Sequence, residues 1–165
     1  MQRRLFLQLP LIAQALLVEG QEHRKDNPKK GFKIESGKDR YQEELMIMGG
    51  QFDCKVSSRD TNGALLIYDT IRHEKGGPAL HLHHSQDEIF YVIKGEFLLK
   101  VGDETFQLKS GDTAFAPRKI PHAFAKTSDG EAQMLIMFQP AGSMEDYFKQ
   151  VSKFGKDIPV NQQQL

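Results

Sequence analysis

The 165-residue chain reads as one all-β domain, a closed barrel or sandwich with an extension at each end. Three observations predict this. From about residue 32 onward, short apolar runs alternate with turn signals at intervals of about ten residues. The turns carry residues suited to tight reversals rather than long linkers. Apolar residues make up 39% of the chain, enough for a real core at this length.

The elements follow in chain order. Residues 1–31 form an N-terminal segment outside the barrel. Arg3-Arg4 followed by Leu5-Phe6-Leu7 resembles a twin-arginine export signal, but Pro10 and Gln14 interrupt the apolar stretch that follows. The alternative is an amphipathic arm packed on the barrel. Export and a cytoplasmic location are therefore both open. The stretch falls short of the ~20 apolar residues that a membrane-spanning helix needs. Residues 21–31 are polar, charged and broken by Pro28, as in a linker.

The barrel is expected over residues 32–140. Its strands are read at Leu45–Met48, Phe52–Ser57, Ala64–Ile71, Ala79–His83, Glu88–Lys94, Glu96–Val101, Glu104–Leu108, Thr113–Ala116, His122–Lys126 and Ala132–Phe138. Asp60-Thr61-Asn62-Gly63 supplies residues that tolerate positive φ, and Gly102-Asp103 makes a tight hairpin. Gly95 falls between two strand-like runs with no loop, which predicts a sharp bend or bulge. Over residues 141–155, Ser143 can cap a short helix, with Asp146 in the place of a capping-box acid. Met144, Tyr147, Phe148 and Val151 share one face of it, for packing outside the barrel or at a subunit interface. Residues 156–165 form a polar tail.

Charge excludes some functions. The 22 basic and 22 acidic side chains cancel, so nothing draws this chain electrostatically to nucleic acid or an anionic membrane. Cys54 is the sole cysteine, which rules out an intrachain disulfide; it reads as a small half-buried strand residue. There is no phosphate loop, CxxC pair or Ser-His-Asp set.

The chemistry concentrates in two stretches. In residues 76–96, His81 and His83 lie two apart in an expected strand and point to one face, while His84 points away and reads as a rim or interface residue. A return strand opening at Glu88 can bring its carboxylate beside the two imidazoles. Two histidines and a carboxylate make a facial ligand set for Fe, Mn, Co, Ni or Zn. In residues 111–124, Pro117 and Pro121 stiffen the approach to His122, a further imidazole from a distant strand. Phe90 and Val92 share the face of Glu88, and Phe124 that of His122. They are expected to wall a cavity around the metal, or else to be plain barrel core. Arg118 and Lys119 could meet an anion near the mouth, or simply be solvated. His23 and His73 read as surface residues.

Here the chain resembles a known family. His81-x-His83-x4-Glu88-x6-Gly95 is similar to the first motif of the cupin superfamily, and Gly111-x5-Pro117-x4-His122 to most of the second. The 15 residues between Gly95 and Gly111 match the short separation of small microbial members, and the likeness spans roughly residues 60–140. Lys119 stands where the second motif usually has Gly, and Lys126 where it has Asn. The resemblance implies a jelly-roll (double-stranded β-helix) barrel, with His81, His83, Glu88 and His122 holding one divalent transition metal (Fe, Mn, Ni, Cu, Co or Zn). Similar small cupins include quercetin-type dioxygenases. This implies a metal-dependent oxygenase acting on a small aromatic or enol-type molecule, with Glu88 also able to accept a substrate proton. A metal-dependent isomerase or hydrolase is the second catalytic reading. A non-catalytic module that binds a small ligand or metal is the competing class. Exposed strand edges and analogy with other cupins suggest a homodimer.

Overall fold

A computed structural model describes residues 30–154. The expectations for the export-like segment, His23 and the C-terminal tail lie outside the described residues. Nine strands and one helix are found among the described residues: β1 (Leu45–Ile47), β2 (Gly50–Val56), β3 (Leu66–Arg72), β4 (Asp87–Lys94), β5 (Glu96–Val101), β6 (Glu104–Lys109), β7 (Thr113–Ala116), β8 (His122–Lys126), β9 (Ala132–Gln139) and α1 (Met144–Val151). They form two antiparallel sheets, one ordered β1-β2-β3-β9-β4-β7 and the other β6-β5-β8. In the larger sheet β9 lies between β3 and β4, and β4 beside β7, so strands distant in sequence become neighbours, as in a jelly roll.

Side-chain alternation decides what lies between the sheets. Along β9, Ala132, Met134, Ile136 and Phe138 are buried while the residues between them are not. Glu88, Phe90 and Val92 point inward from β4, and His122, Phe124 and Lys126 from β8. One continuous core results, filled by Phe52, Leu66, Tyr68, Phe90, Phe97, Leu99 and Phe138. Cys54 is buried in it, and burial pushes its thiol up to about 12, so it stays protonated and unreactive.

The turns follow the sequence closely. Asn62 and Gly63 both adopt positive φ (52° and 79°) at the expected reversal. Ser57 leaves the predicted strand to cap a 3-10 turn, its oxygen accepting from the Arg59 N–H. Strand β3 starts two residues late because the Thr61 hydroxyl bonds both the Leu65 carbonyl and the Leu65 N–H, holding that segment as a turn. Gly95 has φ 80°, and a Cβ there would meet the Ala132 Cβ at 2.6 Å. The expected bend is present, with a register slip between Val92 and Lys94.

Two expectations need correction. Ala79–His83 does not form a strand; its only sheet-like pairing is an isolated bridge between His81 and His122. A second bridge joins Gly76 to Lys126. Five residue steps on one side face four on the other, and Pro78 has no N–H to offer a ladder in between. The Ser143 side chain makes no cap bond, since its backbone (φ −94°, ψ 10°) is not extended. Instead the Glu145 carboxylate turns inward, accepting from the Ser57 hydroxyl at 2.8 Å and the Ser58 N–H at 2.9 Å. The helix then lays Met144, Phe148 and Val151 on the barrel. The Phe148 ring lies 5.3 Å from Phe52, 5.1 Å from Tyr68 and 5.6 Å from Phe138, centroid to centroid. No helix among the described residues is long and apolar enough to cross a membrane.

Candidate metal centre

His81, His83, Glu88 and His122 come from three separate pieces of chain and converge. One ligating atom from each lies within 4.8 Å of all the others. Glu88 reaches in from the larger sheet and His122 from the smaller one, while His81 and His83 come from the segment that crosses between. That segment runs flat along β8 because Gly77 has no side chain; a Cβ there would sit 1.9 Å from the Phe124 carbonyl oxygen. The paired bridge bonds between His81 and His122, 3.0 and 2.7 Å, then fix the register.

The imidazoles are aimed by backbone groups. His81 Nδ1 lies 2.9 Å from the Ala79 carbonyl, and His122 Nδ1 lies 2.9 Å from the Ile120 carbonyl. A carbonyl only accepts, so each Nδ1 carries the proton and each Nε2 faces the cluster. This is the arrangement that holds a metal-ligating histidine in orientation. The Lys119 N–H donates to the His83 carbonyl at 2.7 Å, tying the two motifs together. Lys119 adopts φ 66°, the left-handed conformation that the usual Gly would take there. The turn survives the substitution, at a cost on the order of 1–2 kcal/mol. Lys126 is buried, its Nζ donating to the Ser128 carbonyl at 2.6 Å.

Electrostatics suits a cation. Glu88 Oε2 is 2.8 Å from His122 Nε2, 3.1 Å from His83 Nε2 and 4.0 Å from His81 Nε2. Burial alone would raise the Glu88 carboxyl, but the hydrogen bonds from His122 and His83 outweigh it and hold the group at about 2. For His122, burial opposes the charged form, and the Glu88 contact overrides it and raises the pKa. His81 is lowered, chiefly by burial. With a metal–donor length of about 2.1 Å, neighbouring donors sit about 3 Å apart and opposite ones about 4.2 Å apart. The cluster matches this after closing by a few tenths of an ångström, so the residues fit the metal that their types imply.

His81, His83, Glu88 and Phe124 line a mostly apolar cavity of about 70 Å³, together with Arg72, Met48, Ile136 and Phe138. Phe90 and Val92 were expected in its wall and are not there. They follow Glu88 by two and four residues, which carries them ~7 and ~13 Å deeper into the barrel. Phe90 instead packs edge-on behind His122, with centroids 6.4 Å apart. His84 and His73 are exposed. Arg118 does not face the cavity; it grips Asp87 through two bonds of 3.0 and 2.7 Å. Asp87 is thus an anchor at the start of β4. The sequence reading missed Met144, Tyr147 and Phe148, by which α1 closes one side of the cavity, and it missed Arg72. Arg72 had a signal: Leu66, Tyr68, Thr70 and Arg72 are in phase on β3, so a charged residue stands at a core position.

A family model described as "Cupin domain" matches residues 70–138. An uncharacterised protein of Methanocaldococcus jannaschii is 34% identical over 67 residues, 41% of this chain and 54% of that one. Protein SchB of Streptomyces halstedii is 29% identical over 66 residues, 40% and 48% of the two chains. The chain spans about half the length of the curated relatives it matches. Among solved structures, KdgF from Halomonas sp. aligns with a TM-score of 0.54 at 20% identity, over 67% of this chain and 94% of that one. An RmlC-like cupin from Shewanella frigidimarina aligns with a TM-score of 0.54 at 22% identity, over 68% and 96%. These two show a shared fold. Residues 70–138 thus carry the likeness to a cupin domain, and the chain shares the cupin fold.

Proposed function

We propose that this protein is a metal-dependent enzyme of oxygenase type acting on a small oxygen-bearing molecule, such as an enol or a dicarbonyl. The observation that carries this is the cluster itself: three imidazoles and one ionised carboxylate converge beside an apolar cavity. A divalent transition metal bound there supplies open coordination positions for a chelating substrate and, as Fe, Ni or Cu, reactivity toward dioxygen. The chain's own residues would do the rest. The Nδ1 bonds of His81 and His122 keep both rings pointed at one place before anything binds. Glu88, buried and ionised, can take the proton of an enol hydroxyl lying within hydrogen-bond reach. Phe124, Ile136, Phe138 and Phe148 exclude water from the reacting atoms.

Cavity size narrows the substrate. About 70 Å³ is well below the ~300–1,000 Å³ of drug-sized pockets. A few-carbon enol or dicarbonyl suits it better than a flavonol. The test is oxygen consumption by full-length protein reconstituted anaerobically with Fe, Mn, Ni, Cu or Zn, against a panel of small β-diketones, oxo acids and thiols. Metal-dependent uptake with one class supports the proposal. Tight ligand binding with no turnover across the panel overturns it in favour of a non-catalytic binding module. Metal-dependent conversion without oxygen uptake points to an isomerase or hydrolase.

A further inference from the structure

The cavity holds a second polar group that the metal cluster does not use. Arg72 ends β3 on its inward face, is only 3% exposed and lines the same cavity as His81, His83 and Glu88. Its Nη1 donates to the Met48 carbonyl at 3.0 Å. Its Nε is buried without a partner. Burial lowers its pKa. Arg118 is occupied by Asp87, and Lys126 by the Ser128 carbonyl.

A buried guanidinium without a counter-charge is costly, several kcal/mol in a dry interior. Here the chain makes room for it. Arg72 lies opposite Gly50 in the β2–β3 register. A Cβ on Gly50 would come within 3.2 Å of Arg72 Cγ and Cζ and 3.3 Å of Nε. The side chain therefore lies tight against the bare backbone of β2. On its other side the Phe124 ring stands 5.4 Å from Cζ. Phe124 is two residues from His122 on the same face of β8, a step of about 7 Å. The guanidinium thus lies about one side-chain layer from the metal ligands.

Charge completes the argument. Glu88 is the acid among the residues lining the cavity, and His83 and His122 already engage it, so it does not balance the Arg72 guanidinium; a divalent metal in the cluster would only add positive charge. We infer that Arg72 is an anion subsite of this cavity and that its occupant is a small carboxylate carrying a second oxygen donor a few atoms away. The carboxylate meets the guanidinium fork, the geometry to which Arg is suited. The second donor faces the four-residue cluster. This second half rests on the reading of that cluster as a metal centre; the first half does not.

Full-length protein loaded with zinc, which is redox-silent, is titrated calorimetrically with pyruvate, with levulinate and with hexane-2,5-dione, the neutral shape-mate of levulinate. Wild type is expected to bind at least one of the two carboxylates more tightly than the diketone. Arg72→Met should weaken that carboxylate by about tenfold or more while leaving the diketone and the zinc content unchanged. Arg72→Lys, which keeps the charge but not the fork, should restore part of the loss. Thermal melts confirm that both variants fold. Equal carboxylate affinity in wild type and Arg72→Met overturns the inference, as does a wild type that binds neither carboxylate. Zinc content reports separately on the metal reading. If wild type takes up no zinc, the titration of metal-free chain still decides the role of Arg72.

Discussion

Substituting His83 by Ala tests the metal centre most directly. The residue is 3% exposed, lies 3.1 Å from Glu88 through Nε2, and packs edge-on against Phe138 at 5.4 Å. Its backbone role, accepting from the Lys119 N–H, survives the substitution. A metal held at about a hundred times its dissociation constant stabilises the native state by about 2.7 kcal/mol. For a chain of 165 residues, at about 2–4 °C per kcal/mol, the melting temperature should rise by about 5–10 °C. Loss of one of four ligands should weaken binding by at least about a hundredfold, because even outer-shell partners of a ligand are worth about 10–100-fold. At the same metal concentration the variant then gains about 0.4 kcal/mol, a shift of about 1–2 °C. The assay is differential scanning calorimetry with and without metal. The reading is the metal-induced difference within each protein, since removing His83 also takes a hydrogen bond from Glu88 and lowers the metal-free melting point. His84→Ala is the control: His84 is exposed and turned away, and its variant should keep the full shift. A His83→Ala protein that gains as much as wild type would refute the assignment.

Two further outcomes are expected. The Tyr68 hydroxyl is buried with no partner, so Tyr68→Phe should leave stability unchanged or raise it by up to about 1 kcal/mol in urea unfolding; a loss above about 1 kcal/mol would mean that the hydroxyl is bonded after all. For Glu145, burial works against the charged carboxylate, but bonds from Ser58 and Ser57 outweigh it and lower the pKa. A lowered native pKa gives stability that is present above the unfolded value near ~4.3 and lost as pH falls through the native one. Glu145→Gln should therefore flatten the fall in melting temperature below about pH 4.5 relative to wild type; parallel acid profiles would count against it.

Much of this architecture is legible in the sequence because strand alternation and turn chemistry are local. The residues from Glu88 to Ala116 show it: β4 to β7 lie where the apolar phase and the Gly95, Gly102 and Gly111 reversals put them. The four clustered residues were picked out by spacing, and they do converge, for a partly different reason. Strand parity at 79–83 suggested that His81 and His83 share a face. In fact one backbone bridge, a close approach at Gly77 and a carbonyl acceptor at Ala79 place His81 without a strand. These are tertiary devices, invisible to periodicity. The cavity wall was misread for a related reason. Alternation gives the face of Phe90 and Val92 but not their depth along the barrel axis. The contribution of α1 was missed because helix amphipathicity shows that a face is buried, not what it is buried against.

The site also explains why a fold of this kind keeps four polar side chains in its core. Glu88, His122 and the His81–His83 segment belong to the larger sheet, the smaller sheet and the crossing between them. Apart from Arg72 and Lys126, the two sheets elsewhere meet largely through apolar side chains, whose packing is close but not directional. At the cluster they meet through oriented donors. Without a metal, the Glu88 contacts with His83 and His122 hold the end together through the same nitrogens that a metal would use. Metal binding therefore trades hydrogen bonds for coordination with little rearrangement, and leaves the shape of the cavity set by Phe124, Ile136 and α1. Ligand identity would then be decided by what the cluster does not contain: the room beside it and the charge of Arg72. On the proposed reading, four residues easily read from the sequence would fix where a metal sits, while Arg72, one charged residue at a core position, would decide more about which molecule lies beside it.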